Sequence, residues 1–366
     1  MDERADVVLA FADAAVAEHL DGPLGTIAHT WPDAHVLGCS TAGQSLGDVL
    51  HDDSLVIVTI RFASTVAVSA HVSLERCGGA RRAGRRLAEQ LAAPGLRAAF
   101  VVSGGSGTNG TALAAGFADI LPDLPLSGGL AGDGDRFGTT WTVVDGEARE
   151  GWASAVGFVG DDIEVGFGSG SGWDIFGPVR LVTRSFGNVL YELDGRPVLD
   201  LYREYLGASA ADLPASGMYF PLEVRDLDGR AVVRTVLQID DTDGSMTFGG
   251  DIAQGAGAQL MRASTDNLVH GAHLAAKQAS LGGADELAIA VSCVGRRMVL
   301  GERTDEELEA VLEAFSPGVP MVGFYAYGEI SPSDGFSDLH NQTMTITTMR
   351  ERRSPRRTST PEGGPR

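Results

Sequence analysis

The chain has 366 residues, 43% of them hydrophobic and 21% charged, with a net charge of −21. Length and composition exclude a mostly disordered chain and suit two globular domains. The acidic balance excludes nucleic acid as a main partner, because such a body repels phosphate backbones. Lys277 is the only lysine, and positive charge gathers between Arg350 and Arg366, six arginines against two glutamates.

Taken in chain order, Val7–Phe11 reads as an apolar strand, Ala14–Leu20 and beyond as a helix, Pro32-Asp33 as a break and Val36–Gly43 as a strand with a Gly loop. Two β-rich runs follow, Leu55–Phe62 and Val66–Val72. The order returns as strand Ala98–Val102, helix Thr111–Leu121, break Pro122-Asp123, Gly loop Leu126–Gly134, and strands Ala153–Val159 and Ile163–Phe167. It returns again as strand Leu287–Val291, helix Asp305–Phe315, break Pro317, Gly loop Met321–Gly328 and a closing strand Thr343–Thr347. Pro32, Gly38 and Gly43 align without gaps on Pro317, Gly323 and Gly328, and a helix leads into the later copies at Ala80–Ala92 and Asn267–Leu281. Shared element order at this period indicates duplication within domains.

Between the second and third copies, Asp145-Gly146, Asp194-Gly195, Asp228-Gly229 and Asp243-Gly244 predict hairpins, since Asp-Gly tolerates the positive φ of tight turns. Pro197–Leu206 has a helical apolar face and marks the natural boundary. The expected fold is α/β: mixed β-sheets flanked by helices, built from repeated strand-helix-strand-hairpin units in two domains. Those domains are residues 1–195, holding two repeats, and 196–349, followed by a disordered basic tail over 350–366.

Cys39, Cys77 and Cys293 form no even disulfide framework, which implies reduced thiols and a cytoplasmic location. No stretch approaches the ~20 apolar residues of a membrane span, so none is expected. Glycine is the outlier at 49 residues, well above an average usage near 7%, and the excess points to turns or close backbone approach.

Several stretches carry chemistry. Ser103–Gly110 contains G-x-G-x-x-G between a strand and a helix, which suits a phosphate loop or a helix start capped by Thr108 or Asn109. The loops Gly38–Gly43 and Gly323–Glu329 present small polar groups and a thiol after strands, where α/β folds bind ligands, although small residues also serve tight packing. Ser292-Cys293-Val294-Gly295-Arg296 places a thiol and a guanidinium at a strand exit; Arg296 there holds either a ligand carboxylate or an acidic neighbour. His270 and His273 share a helical face. His340-Asn341-Gln342-Thr343 clusters hydrogen-bonding groups before the last strand.

These motifs resemble the FIST family of bacterial sensory domains. The resemblance rests on Val36–Gly43, Val189–Pro197, Leu201–Gly207, Ser292–Arg296, Leu300–Thr304, Gly323–Ile330 and His340–Thr343, and covers residues 5–349. It implies a non-enzymatic small-ligand sensor, with amino acids as the ligand class and no cofactor. With no kinase, cyclase or methyl-accepting segment after residue 349, output would pass in trans to a histidine kinase or a cyclic-dinucleotide enzyme. The ligand site expected from the Gly loops comprises Cys39, Ser40, Thr41, Gly43, Ser292, Cys293, Arg296, Tyr325, Gly328, Glu329 and Asn341, with Arg296 gripping a carboxylate and Glu329 an ammonium. Two alternatives stand beside it: a haem-based nitric oxide sensor using His340, His270 or His273, and a thiol-dependent enzyme using Cys39 or Cys293.

Overall fold

A computed structural model describes residues 4–15, 21–105, 107–134, 136, 138–227, 229–283, 285–333 and 335–352. The first repeat is strand Val7–Asp13, helix Asp21–Thr30, strand His35–Thr41, hairpin Gln44–Leu46 and Val49–His51, return strand Leu55–Ile60 and outgoing strand Val66–Ser73. The second is Leu96–Ser103, helix Gly110–Ala118, Leu126–Leu130, hairpin Trp141–Val144 and Glu147–Glu150, return strand Trp152–Val159 and outgoing strand Ile163–Gly170. The third is Leu287–Cys293, helix Thr304–Leu312, Met321–Ala326, hairpin Gly328–Ser333 and Phe336–His340, and return strand Met344–Glu351.

Each repeat builds the same sheet. Its first and second strands pair in parallel, and the return strand joins the first from the other side, antiparallel. One physical constraint recurs in all three. Gly38, Gly128 and Gly323 lie opposite Ala10, Val101 and Ala290, where a Cβ would stand 2.0, 1.8 and 2.7 Å from the facing carbonyl oxygen. The aligned glycines therefore mark a close approach of paired strands, which no other residue type permits without displacing backbone.

The repeats also exchange elements in a cycle. The hairpin of the second repeat extends the first sheet, that of the third extends the second, and that of the first extends the third. Outgoing strands follow suit: Val66–Ser73 pairs with the second return strand and Ile163–Gly170 with the third, both antiparallel. The inner faces of the three sheets converge on one core that includes Leu9, Phe100, Phe158, Ile289 and Val322, with Phe11 stacked on Phe324 at 4.5 Å.

Glycine also sets the contact of the third sheet with its helix. Gly166, Gly168 and Gly170 alternate along the outgoing strand and so share a face. That face lies on helix Thr265–Ala279, where added Cβ atoms would stand 2.0, 2.0 and 2.1 Å from the carbonyls of Ala279, Ala275 and Gly271. In the second sheet the crossing is between helices: Gly84 of helix Ala80–Leu91 meets the Leu113 carbonyl, and Gly116 meets that of Arg81.

Residues Trp173–Ala263 form a further layer, a nine-stranded sheet with helix Val198–Leu206 packed on a separate core around Leu190, Tyr202, Val236 and Phe248. The strands on either side of each Asp-Gly pair are paired as hairpins, with Asp145, Asp194, Gly146, Gly195, Gly229 and Gly244 at positive φ, while Asp228 lies outside the described residues. Arg196–Pro197, at the expected boundary, pairs with Val189–Leu193 within this layer. The expected tail begins too early: Arg350 and Glu351 complete a strand paired with Ile163–Gly170, and residues 353–366 lie outside those described. The helix expected from Ala14 is found at Asp21–Thr30, with residues 16–20 outside those described.

Candidate functional site

The third repeat brings Ser292, Cys293, Arg296, Tyr325, Glu329 and Asn341 into one buried region at its strand ends. Arg296, with no exposed surface, gives Nε and Nη2 to Glu307 Oε2 at 3.0 and 2.8 Å, and Nη2 also to the Leu268 carbonyl at 2.8 Å. Its Nη1 donates to the Ser171 carbonyl. Glu307 Oε1 accepts from Tyr325 OH at 2.7 Å and Ser292 Oγ at 3.1 Å. The expectation that Arg296 grips a ligand carboxylate is thereby corrected: an internal carboxylate holds it, and Ser292 and Tyr325 serve that pair. Buried ions persist only when paired and hydrogen-bonded in this way.

In the first repeat, Cys39, Ser40 and Gly43 join repeats to one another, Cys39 by pairing with Thr142, while Thr41 is bonded within its own repeat. Ser40 Oγ accepts from the Trp141 amide at 3.1 Å, Thr41 Oγ1 donates to Gln44 Oε1 at 2.6 Å, and Gly43 O accepts from the Tyr325 amide at 2.8 Å. Gly43 lets Arg297 pass, since a Cβ would lie 2.3 Å from its Nη1. Gly328 likewise makes room for Leu339, 2.8 Å from where its Cβ would stand. Cys39 and Cys293 are buried, and burial pushes both thiols far above their usual range, Glu329 adding to the effect on Cys293. Neither is a thiolate near neutral pH, which removes the basis of the cysteine-nucleophile reading.

Glu329 is also wholly buried. Burial raises its carboxyl to about 8, against which the hydrogen bonds from the Thr343 side chain at 2.8 Å and amide at 3.2 Å pull down. It is thus mostly neutral at pH 7 and lacks the charge to hold an ammonium, a second correction. Among the described residues, its Oε1, both amide atoms of Asn341, Gln342 Oε1 and His340 Nε2 have no hydrogen-bond partner. Buried polar atoms of this kind require an explanation.

The unpartnered Asn341 leads to a cleft of about 430 Å³ where the second repeat, the added layer and the third repeat meet. The Gly249-Gly250 pair forms the link. A Cβ on Gly249 would stand 2.6 Å from Asn341 Oδ1, and one on Gly250 would stand 2.9 Å from Arg234 Cζ and 3.0 Å from Thr111 Oγ1. Arg234, only 2% exposed, lines the cleft and donates from Nε to the Asp251 carbonyl at 3.0 Å and from Nη1 to the Leu339 carbonyl at 2.8 Å. Burial lowers its pKa while the Asp338 and Asp251 carboxylates favour the charge. Thr111 follows the cap of helix Gly110–Ala118, where Asn109 Oδ1 accepts from the Ala112 amide at 2.9 Å and Nδ2 donates to Asp251 Oδ1 at 2.7 Å. The Thr111 hydroxyl has no hydrogen-bond partner among the described residues.

The cleft therefore offers a guanidinium, carboxylates from Asp226, Asp251 and Asp338, and a free hydroxyl. Of these, the sequence reading reached only the neighbouring Asn109 and Asn341. The available signals were Gly249-Gly250 ahead of Asp251 and the glycine-rich approach to Thr111.

The histidines proposed for haem do not converge. His270 is exposed on helix Thr265–Ala279, and His273 Nδ1 meets the Ala310 carbonyl at 2.8 Å. Burial lowers the pKa of His340, which lines a separate 200 Å³ cleft among Ser169, Ser171, Glu223, Ser333 and Thr343. That space is smaller than the roughly 300–1,000 Å³ of ordinary small-molecule pockets and mostly polar-lined, so these residues do not fit haem. Among the described residues no three His, Cys, Asp or Glu side chains gather to hold a metal, and no helix is long and apolar enough to cross a membrane.

Comparison with known proteins gives matches to two family models, the FIST N domain over residues 6–196 and the FIST C domain over 199–332. The chain is also 27% identical over 237 residues to an uncharacterized protein of Mycobacterium tuberculosis, a match spanning 62% of this chain and 61% of that protein. An uncharacterized protein of Mycobacterium bovis is 27% identical over 45% of each chain. One from Methanocaldococcus jannaschii is 25% identical over 40% of this chain and 31% of its own. The chain thus matches about three fifths of the length of its mycobacterial relative.

Proposed function

The chain belongs to the FIST family, whose domains are sensory modules of signal transduction, and from that premise we propose that it binds a small zwitterion of the amino acid class between Thr111, Arg234, Asp251 and Asp338. The observation that carries this reading is the buried Arg234 guanidinium beside unpartnered Thr111 in a 430 Å³ cleft shared by matched FIST N and FIST C residues. Arg234, with exposed Arg230 at the rim, suits a carboxylate. Asp338 and Asp251 suit an ammonium, and Thr111 suits a polar group of the side chain. Ligand contacts spanning the repeats and the added layer would bias their relative position, the differential contact that signalling requires. The signal then passes to a histidine kinase or a cyclic-dinucleotide enzyme.

Isothermal titration against the twenty amino acids tests this reading. One or a few should bind, and Asp338→Asn or Arg230→Gln should weaken that binding by about tenfold or more, as loss of a hydrogen bond to a charged group does. Absence of binding by any amino acid, or unchanged affinity in both variants, would overturn it.

A further inference from the structure

Among the described residues the cyclic exchange of strands is incomplete at one place. In the second sheet the return strand is flanked by Val66–Ser73, and in the third by Ile163–Gly170; in the first sheet the return strand Leu55–Ile60 is the edge. The two occupied positions hold outgoing strands of eight residues, each paired antiparallel and followed, directly or after the added layer, by a helix that covers the same sheet.

The open edge has the character of a strand built to be paired. Leu55-Val-Ile-Val-Thr-Ile60 contains no charge, proline or glycine, the usual guards of an exposed edge. The Asp6 amide donates to the Ile60 carbonyl and the Asp13 amide to the Ser54 carbonyl. Since a strand alternates, Val56 and Val58 also face the first strand, while the N–H and C=O of Leu55, Ile57 and Thr59 point away from the sheet. Ile57 is 36% exposed. A cleft of about 240 Å³ opens beside Val58–Phe62, walled on its other side by Leu287, Met349 and Glu351. Beyond the strand, the Ala63, Ser64 and Thr65 amides close on the Glu351 carboxylate at 2.5, 3.0 and 2.7 Å, which fixes the end of the edge.

We infer that Leu55–Ile60 receives an antiparallel strand from a partner protein, an extended segment of about eight residues with alternating apolar side chains and a basic end opposite Leu55, completing the first sheet by strand addition. The basic end follows from exposed Asp53, whose neighbour Asp52 is already paired with Arg297; at the Ile60 end Glu286 shares the cleft with Arg61 and Arg350. A net charge of −21 opposes a second copy in the same place. This surface does not depend on the ligand cleft, and it gives the sensor a site for output.

The test uses the full chain and a fluorescent peptide carrying Val66–Ser73, the strand that fills the equivalent position in the second sheet, with two lysines added at the end that meets Leu55. Anisotropy should show saturable one-to-one binding. Hydrogen exchange should slow at Ile57 and Thr59. A peptide N-methylated on alternate residues, on the side that pairs, should not bind. Thr59→Pro removes an outward N–H and no ladder bond, so it should weaken binding at least about tenfold with an unchanged circular dichroism spectrum. Equal binding of the N-methylated peptide, or none by either peptide, would refute strand addition even if Thr59→Pro failed to fold. So would a dimer that Thr59→Pro dissociates, or binding that appears only after deletion of residues 353–366. Those two results would give the edge to a second copy or to the chain's own end.

Discussion

Arg296 and Arg234 are both buried arginines beside carboxylates, yet they occupy opposite kinds of site. Every side-chain nitrogen of Arg296 is bonded to Glu307 or to the Ser171 and Leu268 carbonyls. Arg234 is anchored by three main-chain carbonyls, those of Asp251, Val233 and Leu339, and faces a cleft where Asp338 and Asp251 supply charge. Burial of an arginine is therefore no guide to its role. Whether internal acceptors use up its donors separates a fold determinant from a group that can meet a ligand.

The largest effect should come from breaking the closed network. Arg296→Met or Glu307→Gln leaves a buried partner uncompensated and should cost about 3–5 kcal/mol of stability, read as a lower denaturant midpoint. Replacing both by apolar residues, Arg296→Met with Glu307→Leu, should recover much of that loss. If the single changes proved neutral, the contrast with Arg234 would collapse.

Glu329 sharpens the comparison by pH. A carboxyl raised from 4.5 to about 8 binds more protons in the folded state, so its contribution is full below pH 4.5 and declines as pH rises through about 8. Urea melts of wild type and Glu329→Gln should differ by an amount that changes by up to a few kcal/mol across that window; parallel curves would show the carboxyl to be charged throughout.

A smaller effect is expected at the open site. Thr111→Val removes a hydroxyl without a partner among the described residues and should change stability by less than about 0.5 kcal/mol, while weakening ligand binding in calorimetry. A large loss of stability would make Thr111 part of the scaffold.

Glu351 provides the smallest. Burial would raise its carboxyl, but the hydrogen bonds from Thr65, Ala63 and Ser64 outweigh that and hold it at about 2. Its stabilisation is present above the usual 4.5 and is lost as pH falls through about 2. Glu351→Gln should flatten acid unfolding in that range alone.

The repeat was legible in sequence because one steric fact, a glycine against a facing carbonyl, had to recur at Gly38, Gly128 and Gly323. The exchange of hairpins and outgoing strands was not, since pairings such as Gly323 with Ser45 join residues far apart in sequence and leave no local pattern. The site was half legible for the same reason. Strand ends drew attention to Arg296, Tyr325, Glu329 and Asn341, whereas Glu307 lies within an ordinary acidic helix and Arg234 in a hairpin strand that nothing local distinguishes.

The interleaving of the repeats bears on how the chain can be divided. A nick in the turn after Gly170 would leave the strand Ile163–Gly170 on one fragment and its two main partners, Met344–Glu351 and the helix Thr265–Ala279, on the other. Neither fragment could seal its own core, but each would carry the missing pieces of the other. The molecule is thus suited to reconstitution from two polypeptides, with recovery of the folded state reporting their encounter.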